Sequence, residues 1–426
     1  MSFKNVLNAL FPQPPQPLKP GLYHYMREAD GMYTRFHLRV EPDGCGLLMA
    51  NATAAARLTP PGAFIVKSIL ENRERSAMVK EIFRRFKGAS ESDVQRDITQ
   101  MTDIVTTLAS PEDNYPIINL ADPVFSPYQV QLIAPFHADI PIAEPERIIP
   151  LLDCLWAAGI PHVTILTTDT FEPAHLVRIV ERAEDMGMIT GVRGFASCLS
   201  RGSILSDIAR AGIDHATVLY VSHEQPVHDA VCGTTDHEQV RHIFSLLHDL
   251  EVCPVAEIPL TRIIARNLEE TIESLQAMNV KNVSFFAIAR TEEDGEDRSD
   301  GALRANALPQ LAAIIEETSQ EFDVRYLWQP PVRRDSKKSL EQQIKEGPRC
   351  SGDVSIRVET DGSVIPPRGQ YRSAGNLLTD SWETIWNDDA FKIYRERIET
   401  PTRCETCPGL AICAADCPRD PRGWAL

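Results

Sequence analysis

From about residue 128 to residue 335 one pattern repeats: a short apolar run, then a helical stretch. VQLIAP precedes EPERIIPLLDCLWAAG, HVTILTTD precedes a helix carrying Leu176, Ile179, Val180, Ala183 and Met186 in register, and ITGVRGFAS precedes GSILSDIARAG, read as a helix capped by Ser203. HATVLYVS, CPVAEIPL and NVSFFAIAR continue the series, and VRYLW follows the last long helix. The strands are continuous apolar runs, as expected where both faces of a sheet are buried. Strict strand–helix alternation implies parallel strands joined by right-handed crossovers. Six such units and a seventh strand predict an α/β architecture, a partial (β/α)6 barrel with its site at the C-terminal strand ends. A flat doubly wound sheet has the same periodicity. No G-x-G-x-x-G follows the first strand and no G-K-[ST] loop occurs, which disfavours dinucleotide and P-loop readings.

The flanks differ. Residues 1–20 read as a short amphipathic helix and a proline-rich linker, PQPPQPLKP. Residues 21–110 carry TRFHLRV from Thr34, where Phe36, Leu38 and Val40 alternate with polar residues, then a Pro42-Asp43-Gly44 turn and the strand GLLMA. Three helical stretches follow, one from Pro61 and Gly62, one with Met78, Ile82, Phe83 and Phe86, and one with Val94, Ile98, Met101, Val105 and Leu108 on one face. Two or three strands and three short helices predict a small α+β, winged-helix-like domain. A linker with Pro111, Asn114, Pro116 and Pro123 separates it from the repeat, and VRRDSKKSLEQQIKEG is read as a charged linker to residues 349–426.

Charge and hydropathy exclude several functions. The 43 Lys and Arg against 60 Asp and Glu give a net charge of −17, which is wrong for a general nucleic-acid or anionic-membrane binder. No apolar stretch is long enough to span a membrane and no secretory signal is recognised, so a cytoplasmic protein is expected.

Cysteine usage is uneven. Cys45, Cys154, Cys198, Cys232 and Cys253 are scattered and read as small core hydrophobes, whereas Cys350, Cys404, Cys407, Cys413 and Cys417 gather near one end. The run CETCPGLAICAADC has the spacing C-x2-C-x5-C-x3-C, in which short loops let soft thiolates converge on one ion or cluster. Spacing alone leaves zinc and an iron–sulfur (4Fe-4S) cluster both open. Trp382 and Trp386 read as the core of this small tail domain.

The segment from Cys350 through Asp361-Gly362, Gly375-Asn376, Trp382 and Ile385-Trp386 to Cys417 resembles the SPASM domain that follows radical S-adenosylmethionine (SAM) enzymes. The repeat resembles the radical SAM core, with Ser222, His228-Asp229 and Gly233 similar to the family's S-x-D-G…H-D…G stretch, in which they shape a loop. The N-terminal module resembles PqqD, a peptide-recognition domain. Against this pattern the chain departs at the first strand, where the family carries C-x3-C-x2-C. Aligned on VQL, those three positions fall on Ala138, Ile142 and Pro145, and the motif occurs nowhere in the chain. His137 and Asp139 beside them read as solvated loop residues. The family's G-G-E-P turn, which holds the SAM amino group, corresponds to Thr167, Thr168, Asp169 and Thr170, with the acid kept and the glycines lost. In the tail, Pro367 stands where a second cysteine is expected and a last cysteine is absent, so the resemblance implies one metal site or cluster rather than two.

What the resemblance implies is a protein of the peptide- or cofactor-maturation type whose SAM-cleaving centre is degenerate. Reductive cleavage of SAM is chemistry of the iron cluster, not of the fold, so no catalytic residue is assigned. The leading expectation is a peptide-binding partner or scaffold with a metal-bearing tail, whose partner is a precursor peptide or a maturation enzyme. PqqD-like domains take a peptide as an added strand. Two alternatives stay open: an enzyme using SAM or another small molecule by non-radical chemistry, and an electron-transfer partner working through a tail cluster.

Overall fold

The computed structural model describes residues 18–29, 32–51, 54–86, 88, 90–109, 132–233, 235–291, 301–329, 331–351 and 355–391. The expected N-terminal helix, the linker around Pro111 to Pro123, most of the acidic stretch TEEDGEDRSDG (Thr291 to Gly301), and Cys404, Cys407, Cys413 and Cys417 lie outside the described residues. The chain divides into two compact units, residues 1–118 with 130–133, and the remainder.

The first unit is an antiparallel meander followed by helices. Strands β1 (Gly21–Ala29), β2 (Met32–Val40), β3 (Gly46–Ala50) and β4 (Ala54–Leu58) pair in sequence order, four strands where two or three were expected. Alternation placed β2 correctly: Phe36, Leu38 and Val40 are at most 1% exposed and pack with Ala63, Val66 and Val105. The Pro42-Asp43-Gly44 turn forms as read, with Gly44 N donating to Glu41 O and Cys45 N to Asp43 Oδ1. Helices α1 (Pro60–Leu70), α2 (Arg75–Arg85) and α3 (Glu91–Ala109) follow. Thr59 caps α1 by accepting from Gly62 N, and Pro60 and Pro61 occupy its first turn, where no N–H is needed. Phe83 is 40% exposed and does not belong to the buried face of α2, which Met78 and Ile82 form.

In the second unit the alternation becomes β5 (His137–Pro141), α4 (Pro145–Ala158), β6 (His162–Leu166), α5 (Pro173–Met186), β7 (Ile189–Gly194), α6 (Ala196–Leu199), α7 (Ile204–Arg210), β8 (His215–Leu219), α8 (Gln225–Cys232), α9 (Asp236–Asp249), β9 (Cys253–Leu260), α10 (Leu268–Ala277), β10 (Asn282–Arg290), β11 (Leu303–Arg304), α11 (Leu308–Glu321), β12 (Arg325–Trp328), β13 (Val332–Arg333), α12 (Leu340–Glu346), β14 (Ser355–Val358), β15 (Val364–Ile365) and α13 (Trp382–Trp386). Strands β5 to β10 are neighbours in sequence order and parallel throughout. Strand β12, the expected seventh, adds parallel to β10. Among the described residues no pairing joins the two edges, so the sheet is open.

Three expectations are corrected. The first parallel strand is not VQLIAP: 132–136 is irregular and pairing begins at His137. The "charged linker" contributes β13, paired with β10, and α12, capped by Ser339. Ser203 precedes α7 but makes no side-chain cap; its hydroxyl donates to Asp207 Oδ2.

The tail begins inside this sheet. Strand β14 pairs parallel with β5, Ser355 against His137 and Arg357 against Asp139, and turns back through Asp361 and Gly362 into β15. The turn needs Gly362, whose φ is +91° and whose missing Cβ would meet Asn376 Oδ1. Trp382 and Trp386 stack at 5.9 Å between ring centroids, and Phe391 packs on Trp386 at 5.1 Å; both tryptophans are half-buried, and the fully buried side chains here are Ile385 and Phe391. No helix among the described residues is long and apolar enough to cross a membrane.

Candidate functional site

In parallel strands, residues in register share a face. On one face lie Ala138, Ile140, Val163, Ile165, Val192, Ala216, Val218, Ala256 and Ile258, all without exposure, and the helices cover it: α5 packs on β7, α9 on β8 and β9. The other face is polar yet buried. Asp139 registers with Thr164, Thr164 with Gly191, Arg193 with Thr217, and Glu257 with Ser284.

At the N-terminal strand ends this face carries three histidines. His137 and His162 stack in parallel at 3.9 Å, His162 Nε2 and His215 Nε2 share a hydrogen bond of 2.7 Å, and His137 Nε2 bonds Thr164 Oγ1 at 2.8 Å. Burial pushes the imidazoles of His137 and His215 down to about 3, so both are neutral near pH 7. Gly191 makes room for them: a Cβ there would lie 2.0 Å from His215 Cε1.

One layer further along stands Asp139, fully buried in β5. Ser351 N donates to its Oδ2 at 2.6 Å and Ser351 Oγ to its Oδ1. Burial pushes its carboxyl up to about 6, and the two Ser351 bonds and the charges of Arg357 and Arg193 hold it from rising further. His137 and Asp139 are thus strand residues, not solvated loop residues. Nearer the C-terminal ends, Arg193 Nε donates to both carboxylate oxygens of Glu257 at 2.9 Å, and Gln329 Nε2 reaches Glu257 Oε1 and Ser284 Oγ. The sequence signal for this buried pair is an Arg inside ITGVRG and a Glu inside CPVAEIPL, each a lone charge in an otherwise apolar strand.

Cys350 is buried against this layer. Burial raises its thiol above the usual range, Asp139 adds to the rise, and Arg349 and Arg357 oppose it. A cysteine that ligates metal must lose its proton; iron or zinc at Cys350 would supply the positive charge that burial beside Asp139 withholds, and the two arginines favour the thiolate. Cys350 fits a metal or cluster on these grounds.

The turn expected to hold SAM is a poorer fit. Thr167 N and Thr167 Oγ1 both donate to Arg193 O, Thr168 Oγ1 donates to Thr170 O, and Asp169 Oδ1 accepts from the Cys198 thiol at 3.8 Å. The threonine hydroxyls are engaged within the chain, and Thr167 Oγ1 occupies the space beside Gly194. At the first strand, Ala138 lies in β5, Pro145 begins α4, and only Ile142, Ala143 and Glu144 separate the two elements. His228 and Asp229 lie within α8 rather than shaping a loop. His228 Nδ1 accepts from Val221 N, its Nε2 pairs with Asp236 Oδ2 at 3.1 Å, and Asp229 Oδ1 accepts from His237 N.

Residues 350–408 match the SPASM family, an iron-sulfur cluster-binding domain. Among solved structures the chain is similar to Streptococcus suis SuiB bound to S-adenosylmethionine, at 11% identity over 90% of this chain and 94% of that one, with a TM-score of 0.53. It is also similar to SuiB bound to precursor peptide SuiA, at 11% identity over 94% and 99%, with a TM-score of 0.54. No curated protein matches the chain in sequence. At this identity the likeness speaks of fold: an α/β fold with a parallel sheet resembling that of radical SAM enzymes, carrying a SPASM domain.

Proposed function

We propose that the chain is a degenerate radical-SAM/SPASM-type protein of peptide or cofactor maturation, acting as a peptide-binding partner or scaffold whose tail carries one iron–sulfur cluster or zinc ion. The observation that carries the reading is the connection between β5 and α4. Neither its three residues nor the flanking ends of β5 and α4 carry a cysteine, so iron has no thiolate anchor where the family's SAM-cleaving cluster sits. The engaged hydroxyls of Thr167 and Thr168 support the same conclusion for SAM.

For the tail, Cys350, Cys404, Cys407, Cys413 and Cys417 are the proposed ligands, of which four thiols suffice for one cluster or ion. The proposed domain boundaries are 1–20, 21–110, 128–335 and 349–426. The first unit is proposed as PqqD-like. Its strand β1 pairs only with β2 among the described residues, which suits a peptide added as a further strand. That SuiB, similar in fold, is bound to precursor peptide SuiA supports a peptide as partner.

Anaerobic purification with iron, sulfide and zinc analysis, followed by calorimetric titration with SAM, tests the proposal. Metal that disappears in Cys404→Ala and Cys413→Ala, with no heat on adding SAM, is the expected result. A SAM-responsive cluster retained in those variants, or deoxyadenosine formed during turnover, refutes it. Binding of short peptides encoded nearby tests the scaffold role directly.

A further inference from the structure

Away from the polar face, the turn joining α8 to α9 gathers three different donor types. His228 and Cys232 are four residues apart in α8 and so share one helix face; Asp236 opens α9 four residues further on. One imidazole nitrogen, the thiol sulfur and one carboxylate oxygen all lie within 4.8 Å of one another. His228 and Asp236 are buried, and Cys232 is half-buried and closest to solvent.

We propose that His228, Cys232 and Asp236 bind a divalent transition-metal ion of zinc-like preference, with the fourth position open to water or a small ligand. This site stands apart from the tail thiols and from the reading of the tail. A nitrogen, a thiolate and a carboxylate suit zinc, whereas calcium and magnesium call for oxygen alone. Ligands about 2.0 to 2.3 Å from a tetrahedral ion sit roughly 3.3 to 3.6 Å from each other. His228 Nε2 and Asp236 Oδ2 are already 3.1 Å apart, so the ion needs only a small outward movement of this pair and an inward one of the thiol. The carboxylate is oriented from outside the triad, because Ser197 N donates to Asp236 Oδ1 at 3.1 Å, the kind of outer support that ligands of metal sites have.

Without metal the triad carries two protons that must move. Val221 N donates to His228 Nδ1, so the ring proton sits on Nε2 and points at Asp236. On metal binding that proton shifts to Nδ1, where it faces the buried Val221 N–H donor to donor, so Val221 N must turn aside and two buried donors lose their partner. This costs about two to four powers of ten in affinity, which is still below the affinity of structural zinc sites. The Cys232 thiol, which burial and the Asp236 carboxylate keep protonated, gives its proton to solvent. One proton is released per ion, and the ion supplies the charge that stabilises the thiolate.

The test uses cobalt(II) as an optical stand-in for zinc on the full chain with Cys404, Cys407, Cys413 and Cys417 changed to Ser, so that a tail unable to bind metal does not bear on the result. The expected result is one cobalt per chain, tetrahedral visible bands and a single thiolate charge-transfer band. Adding Cys232→Ser removes the charge-transfer band, and Asp236→Asn weakens binding at least about tenfold. No tetrahedral spectrum, or one unchanged by Cys232→Ser, overturns the proposal. If the four-serine chain does not fold, zinc per chain is compared between the unmodified protein and Cys232→Ser: a loss of one equivalent is expected, and equal stoichiometry refutes the site.

Discussion

Gly191→Ala is the sharpest perturbation of the polar face. The added methyl would sit 2.0 Å from His215 Cε1 and 2.3 Å from its Nε2, distances that no pair of heavy atoms tolerates. The ring, 4% exposed, must swing away, and in swinging it breaks the 2.7 Å bond to His162 Nε2. Overpacking of this kind costs about 1–3 kcal/mol, and stranding a buried polar nitrogen costs about 1–3 kcal/mol more. The sum, roughly 4 kcal/mol, is a large part of the 5–15 kcal/mol typical of a domain. The first unit contains no tryptophan, so urea unfolding followed by tryptophan fluorescence does not report on it. The midpoint should drop with little change in slope. In Gly191→Ala with His215→Ala the methyl enters the space the imidazole vacates, so the double variant should be at least about 1.5 kcal/mol more stable than the two single losses predict. A Gly191→Ala loss under about 1 kcal/mol, or simple additivity, would refute the packing argument.

Other outcomes follow from the same face and from the tail. His137 and His215 sit at about 3 in the folded chain against 6.5 when unfolded, so their stability is present above pH 6.5 and is lost as the pH falls toward 3. At pH 5 each removes about 2 kcal/mol. Asp139, raised to about 6, works the other way and returns about 1.4 kcal/mol between pH 7 and pH 5; unfolding midpoints should therefore fall from pH 7 to pH 5, and fall less in His137→Gln. Glu257→Gln strands the Arg193 charge and should cost about 3–5 kcal/mol, whereas Arg193→Met with Glu257→Leu should fold nearly as well as the parent, measured by the same fluorescence assay. Thr59→Ala removes the cap of α1 and should lower the melting of the first unit by about 1 kcal/mol, followed by circular dichroism. Cys350→Ala should lower bound iron or zinc, read by mass spectrometry of the purified protein; unchanged metal would remove Cys350 from the ligand set.

The succession of strands and helices was legible because runs such as CPVAEIPL and NVSFFAIAR are buried on both faces and β-branched or aromatic in character, and β9 and β10 have the bounds read for them. The start of the sheet was not. VQLIAP looks more like a strand than HADIP, because two ionisable residues in five argue against burial unless partners are known. Those partners, Thr164 and Ser351, come from 27 and 212 residues away in sequence, beyond the reach of any local pattern. In α8 the partners are local: His228 and Asp229 invite a loop reading, but Val221, Asp236 and His237, seven and eight residues away, satisfy them. Charge density hid α12, although Ser339 followed by LEQQIKE is a capped helix by local rules. Arg193 and Glu257 were the recoverable omission, since each is a lone charge in an apolar strand.

The described part of the tail is not a pendant module. Because Ser355 and Arg357 are hydrogen-bonded into the same ladder as His137 and Asp139, the hairpin that follows Cys350 is one more plank of the central sheet. A cysteine proposed as a metal ligand therefore stands five residues before a plank of that sheet, beside β5, the strand from which the first crossover departs.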